Sequence, residues 1–240
     1  MISVSRKIWT QQKINKNLVE KVKQDYGFGD ILSQLIISRN YDTSEIYGVD
    51  NHQKLTNIFK DDKDYEKASL ILLNSINNNE NICILGDYDV DGACSTSLLI
   101  RYFSHINQKH FFYIPDRIAD GYGASKKLFQ KLLLKKPKLV IMVDCGSTSN
   151  EAIAYLNKHN IKSIIIDHHE INKPYPKSDA IINPKKEFIK KESSLLCATA
   201  LTYFFIDILI KKTKSNFNIT NFLIYVLLAT VCDVMPLRKI

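Results

Sequence analysis

The sequence predicts an α/β fold: a parallel five-stranded sheet flanked by helices, with an N-terminal helical extension and C-terminal helices. From Ile82 onward, short apolar runs alternate with longer amphipathic segments, the spacing that parallel strands joined by crossover helices require. Three of those runs also stop abruptly in polar clusters. Asp87-Tyr88-Asp89-Val90-Asp91-Gly92 follows residues 82–85, Asp144-Cys145-Gly146 follows 139–143, and Asp167-His168-His169 follows 163–166.

Taken in chain order, residues 15–78 read as helical and polar, with apolar spacing at Leu18, Val22, Ile31, Leu35 and Ile36 and a second helix over 65–76. The polar stretch 74–81 breaks the pattern, placing the start of the sheet domain at residue 79 and leaving 1–78 as the extension. Strands are expected near 82–86, 109–114, 139–143, 163–166 and 180–182. Helices are expected near 93–105, 125–135 and 149–159, the second capped by Ser125. Two more are expected at 195–210 and 219–231, divided by the polar residues 211–218.

Composition narrows the class. With 240 residues and 45% hydrophobic content, there is ample material for a globular core. No apolar run approaches the roughly 20 residues of a membrane span, and residues 1–9 lack the apolar centre of a signal peptide. The expectation is a soluble cytoplasmic protein. The five cysteines, Cys83, Cys94, Cys145, Cys197 and Cys232, show no C-x-x-C spacing and read as small buried hydrophobes, not a disulfide frame. A formal charge of +8 leans towards polyanionic partners.

Three carboxylates at every second position cannot stay ionised together without a partner, because like charges raise one another's pKa or recruit a cation. Hard divalent ions prefer carboxylate oxygens, so Asp87, Asp89 and Asp91 predict a metal site. The string also matches the start of a calcium-binding EF-hand loop, but the twelfth position is Leu98 where that loop needs glutamate, and a strand precedes it. A phosphatase nucleophile loop centred on Asp89 would carry Thr where this chain has Ala93, and it leaves the later clusters unexplained. In open α/β sheets ligands bind beyond the carboxyl ends of the strands, so all three clusters should meet at one rim.

Together with Gly121-Tyr122-Gly123 and Asp233-Val234-Met235-Pro236-Leu237, these clusters resemble the DHH phosphoesterase superfamily. Asp87 in the first motif and Asp116-Arg117 before the glycine motif resemble its RecJ-type branch of single-strand-specific 5′ to 3′ DNA exonucleases. The resemblance implies two ions, Mn2+ or Mg2+, one held by Asp87, Asp89 and Asp144, the other by Asp91, Asp144, His168 and Asp233. It makes Asp144, His168 and His169 catalytic. His169 would also meet the scissile phosphate with Arg117, while Asp167 would orient a histidine. Lys126, Lys127 and Lys131 could attract the strand without regard to sequence.

The implied partner is single-stranded DNA, with a C-terminal half or replication and repair proteins as further partners, in DNA repair and recombination. Residues 196–200 carry alanines and a threonine where the family has a glycine-rich helix start. In the resembled enzymes a linking helix, a DHH-associated domain and an oligonucleotide-binding fold extend beyond the stretch at which this chain stops, so a truncated form is expected. Two alternatives stand beside the exonuclease reading. One is a phosphodiesterase acting on short oligonucleotides or cyclic dinucleotides; the other is a non-catalytic module that binds DNA or a replication partner.

Overall fold

Side chains alternate along five short strands so that both faces of one sheet are apolar, which obliges helices to cover each face. The computed structural model describes residues 6, 8, 10, 12–42, 45–46, 55–118, 120, 123–186 and 193–237. Its strands are β1 (Ile82–Leu85), β2 (His110–Tyr113), β3 (Leu139–Val143), β4 (Lys162–Ile166) and β5 (Ala180–Ile182). They are all parallel in the order β2-β1-β3-β4-β5. The α/β fold class read from the sequence is therefore the observed one, with every strand within one residue of its expected bounds.

The chain divides into two compact units, the first reaching Leu55 and the second running from Thr56 to Arg238. In the first, α1 (Lys16–Tyr26) and α2 (Asp30–Ser38) bury Val22 and Ile36 together with Ile46. In the second, α3 (Lys63–Asn77) begins at the N-cap Asp62, whose carboxylate accepts from the backbone N–H groups of Asp64 and Tyr65. A boundary near residue 78 falls inside this second unit, because Tyr65, Ala68 and Leu72 of α3 are buried in the same core as Ile82 and Ile84.

The other helices are α4 (Val90–His105), α5 (Lys126–Leu132), α6 (Asn150–Lys158), α7 (Ala198–Thr213) and α8 (Leu223–Cys232). Ile82, Ile84, Leu139, Ile141, Val143, Ile164 and Ile166 face a layer containing α3, α4 and α7. Cys83, Leu85, Val140, Met142 and Ile165 face the opposite layer, filled by Leu128, Phe129 and Leu132 of α5 and by Ile153 and Leu156 of α6. Ser125 caps α5 as expected, accepting from the Leu128 N–H at 3.1 Å. All five cysteines are free, and Cys83, Cys145 and Cys197 are buried; Cys232, the last residue of α8, is exposed, against the expectation. Among the described residues no helix is long and apolar enough to cross a membrane.

The strand order reverses between β1 and β3, so the crossover helices leave towards opposite faces and a crevice opens at the carboxyl ends of these two strands. Ladder bonds continue one residue past β1, β3 and β4 and fix the start of each polar cluster. Gly86 donates its N–H to the Tyr113 carbonyl, Asp144 to that of Ile166 and Asp167 to that of Ile182, at 3.1, 2.9 and 3.0 Å. The acidic clusters are thus anchored to the rigid sheet.

Candidate metal centre

The aspartates of the first motif occupy three different structural positions. Asp87 lies in the loop, is 2% exposed, and accepts from the Tyr88 N–H at 2.7 Å. Asp89 is the N-cap of α4 and accepts from the Gly92 N–H at 2.9 Å. Capping by Asp89 starts α4 at Val90, three residues before the expected 93, and so places Asp91 in its first turn. Gly92 permits the tight path, since a Cβ there would sit 2.5 Å from the Asp87 carbonyl oxygen. Gly92→Ala is therefore expected to destabilise the metal-free protein by about 3 kcal/mol, measured by urea denaturation.

Asp144 is the centre of the arrangement. It is 1% exposed, has a positive φ of 59°, and neither carboxylate oxygen has a hydrogen-bond partner. Burial, then the charges of Asp91 and Asp89, push its pKa up to about 11. His168 is also buried, and neither of its ring nitrogens has a hydrogen-bond partner. Its Nε2 stands 3.3 Å from Asp144 Oδ1, 3.4 Å from Asp233 Oδ2 and 3.6 Å from Asp91 Oδ2. Native interiors seldom leave such groups unpaired, and orphans of one chemistry facing one point are what a cation would satisfy.

Three triads of side-chain atoms are each close enough to share an ion: Asp87, Asp89 and Asp144; Asp91, His168 and Asp233; and Asp144, His168 and His169. In each, the ligand atoms lie within 4.8 Å of one another. The six residues read from the sequence as ligands thus converge, and Asp144 lies between the two ligand groups. Carboxylates with a single imidazole fit Mg2+ or Mn2+, the nitrogen tilting preference towards Mn2+. Asp233 arrives from the far end of the chain as the residue that closes α8, and burial first of all raises its pKa, as it does that of Asp87.

Asp167 does orient a histidine, and it is His169. Its Oδ1 accepts from His169 Nδ1 at 2.8 Å and from the His168 and His169 N–H groups, while Oδ2 accepts from the Ser147 N–H at 3.0 Å. Burial works against ionisation, yet the bonds from His169 and Ser147 hold Asp167 at about 2. The same bond raises the pKa of His169. With Nδ1 committed, the half-exposed ring offers only Nε2 to a ligand.

Two positions escaped the sequence reading. Asn183, directly after β5, donates from Nδ2 to Ser147 Oγ at 2.8 Å and to the His169 carbonyl at 2.9 Å, tying two clusters together. The strand-end rule that found the other clusters, applied to the fifth strand, would have found it. Asn183→Ala should cost about 2 kcal/mol in chemical denaturation, because one buried and one partly buried acceptor lose their donor. Thr199 lies in the 196–200 stretch noted in the sequence, but its role is met only where α7 touches Asp91.

Of the residues proposed for strand contact, Arg117 is exposed and lies 5.1 Å from the centroid of the Tyr88 ring, a cation–π contact beside the first motif. Lys131 is already bound to Asp120 at 2.6 Å, which with the Tyr113 hydroxyl holds that carboxyl at about 2, so it serves the local loop. Lys126 stands 5.9 Å from the centroid of Tyr155, and Lys127 is exposed. Gly123 has a positive φ of 69°, whereas Gly121 and Tyr122 lie outside the described residues.

The family model for the DHH family, N-terminal domain, matches residues 81–230. The single-stranded-DNA-specific exonuclease RecJ of Escherichia coli strain K12 is 30% identical over 183 residues, which cover 72% of this chain and 32% of that protein. RecJ of Bacillus subtilis strain 168 is 28% identical over 184 residues, 76% of this chain and 23% of the relative. This chain therefore spans a third or less of the length of these curated relatives. Among solved structures, RecJ in complex with Mn2+ from Thermus thermophilus superposes with a TM-score of 0.72 at 19% identity, covering 94% of this chain and 32% of that one. Another, exonuclease RecJ bound to manganese, gives a TM-score of 0.66 at 24% identity over 73% of this chain and 44% of its own. These superpositions show a common fold.

Proposed function

The chain belongs to the DHH family, and on that premise we propose that it is the catalytic part of a 5′ to 3′ exonuclease that hydrolyses phosphodiester bonds of single-stranded DNA with two divalent ions, Mn2+ or Mg2+. The observation that carries this reading is Asp144: a buried carboxylate, unpaired at both oxygens, between two groups of potential ligands. In this reading Asp87, Asp89 and Asp144 hold one ion, and Asp91, Asp144, His168 and Asp233 hold the other. When bound, such a pair lowers the pKa of a water molecule and neutralises charge developing on phosphate.

The chain's own residues orient the substrate around that centre. Asp167 fixes Nδ1 of His169 and favours its protonated form, so Nε2–H can donate to a phosphate oxygen of the scissile group. Arg117, steadied on Tyr88, offers a planar donor to a neighbouring phosphate. The RecJ relatives of E. coli and B. subtilis are specific for single-stranded DNA by name, which supports that substrate; a place in DNA repair and recombination belongs to the same proposal. A structure of CDC45 from Entamoeba histolytica, with a TM-score of 0.50 at 15% identity, shares the fold.

The test is to incubate the purified chain with Mn2+ and 5′-labelled single strands, duplexes or dinucleotides. Mononucleotides released from single strands are the expected result. Cleavage confined to dinucleotides would replace the substrate class, and strand binding without turnover would sink catalysis by this chain.

A further inference from the structure

The first two backbone N–H groups of α7 have no cap from their own segment, because the side chain of the N-cap Cys197 makes no capping hydrogen bond. Asp91, 107 residues earlier, supplies it: Oδ2 accepts from the Ala198 N–H and Oδ1 from the Thr199 N–H, each at 2.7 Å. The Thr199 hydroxyl gives the carboxylate its third bond, the second to Oδ1, at 2.6 Å and lies 3.0 Å from the Asp91 carbonyl oxygen. Thr199 is fully buried and Asp91 is 2% exposed, so water cannot replace these donors.

Oδ1 carries two bonds, both from Thr199, whereas Oδ2 carries one, from Ala198, so Oδ2 is the oxygen with more room for a further ligand. Oδ2 is also the oxygen that faces His168 Nε2. We propose that Thr199 is a positioning residue for the metal centre: by occupying Oδ1 it makes Asp91 a one-oxygen ligand, aimed through Oδ2 towards His168 and Asp233. This rests on the two-ion reading proposed for the site. A one-oxygen carboxylate suits the octahedral Mg2+ or Mn2+, whereas Ca2+ accepts carboxylates through both oxygens in a looser shell. Thr199 therefore contributes to discrimination against Ca2+, through a residue that touches no ion.

The experiment titrates Mn2+ into the metal-free full chain by the electron paramagnetic resonance of the free ion, then repeats it in competition with Ca2+. In Thr199→Val one of two Mn2+ sites should weaken about tenfold, as loss of a ligand's hydrogen-bond partner commonly does, and the preference for Mn2+ over Ca2+ should narrow. Thr199→Ser, which keeps the hydroxyl, should restore both, and Thr199→Ala serves if the valine variant does not fold. Unchanged Mn2+ affinity and an unchanged Mn2+ to Ca2+ ratio in folded Val or Ala variants overturn the assignment while leaving the centre intact. Weakening of both metals in equal proportion, with a lower metal-free melting temperature, makes Thr199 merely structural and also overturns it. Absence of Mn2+ uptake by the wild type is a separate failure, that of the two-ion reading itself.

Discussion

Asp144→Asn is expected to abolish the stabilisation that Mn2+ confers on the wild-type chain. At a free Mn2+ concentration about 100 times Kd, a ligand that binds only the folded state adds about 2.7 kcal/mol per site. Asp144 belongs to two of the triads that can share an ion, so one substitution removes a charged ligand from both. An amide has nearly the same shape but no negative charge, and the remaining carboxylates cannot move in, since Asp89 caps α4 and Asp91 caps α7. Thermal melts with Mn2+ and with chelator read the difference directly. Phosphodiester cleavage should fall by at least about a hundredfold, the upper end of what losing even a ligand's hydrogen-bonding partner costs. An unchanged Mn2+-induced melting shift would remove Asp144 from its shared position.

The second large effect is the pH dependence of the metal-free protein. Burial and the neighbouring charges of Asp91 and Asp89 raise Asp144 to about 11 in the folded state, against roughly 3.9 when unfolded. Between those values the folded chain keeps a proton that the unfolded chain has lost. Its contribution to stability is thus complete below about pH 4 and is lost as pH rises towards 11. The slope is up to about 1.4 kcal/mol lost per pH unit for each proton so retained, and Asp87 and Asp233, also raised, act in the same direction. Asp167 has the opposite sign: held at about 2, it stabilises above about pH 4 and loses that contribution only as pH falls towards 2. Urea denaturation in chelator at about pH 5, 7 and 9 should show stability declining with pH. Asp144→Asn should flatten the decline, and so should saturating Mn2+, since metal binding displaces the proton. A flat wild-type profile in chelator would show that Asp144 ionises freely in the empty site.

The two expectations share a cause. An acidic cluster built for cations is unfavourable without them, and here the sheet holds the cluster in place regardless. Asp144 is 1% exposed on a backbone fixed by the β3–β4 ladder bond from its N–H and by its positive φ.

The sequence by itself determined the strands, most of the helices and the convergence of the acidic clusters. Those features arise from local causes: side-chain alternation, helix capping, and the rule that polar residues released from buried parallel strands gather at one edge. It also pointed to Asp233 through its motif, though nothing local says how the end of α8 reaches His168. Tertiary structure alone decided how the work is divided. Of three similar aspartates, Asp87 turns a loop, Asp89 caps its own helix, and Asp91 caps a helix that begins 107 residues later. It committed Lys131 to Asp120 and placed Arg117 on Tyr88, choices that sequence spacing cannot distinguish from strand contacts. It also enlisted Asn183 and Thr199, whose hydrogen bonds to the polar clusters span 14 to 108 positions. The physical reason is range: periodicity and capping act over a few residues, whereas the burial that orphans Asp144 and orients Asp91 exists only once distant segments have excluded water together.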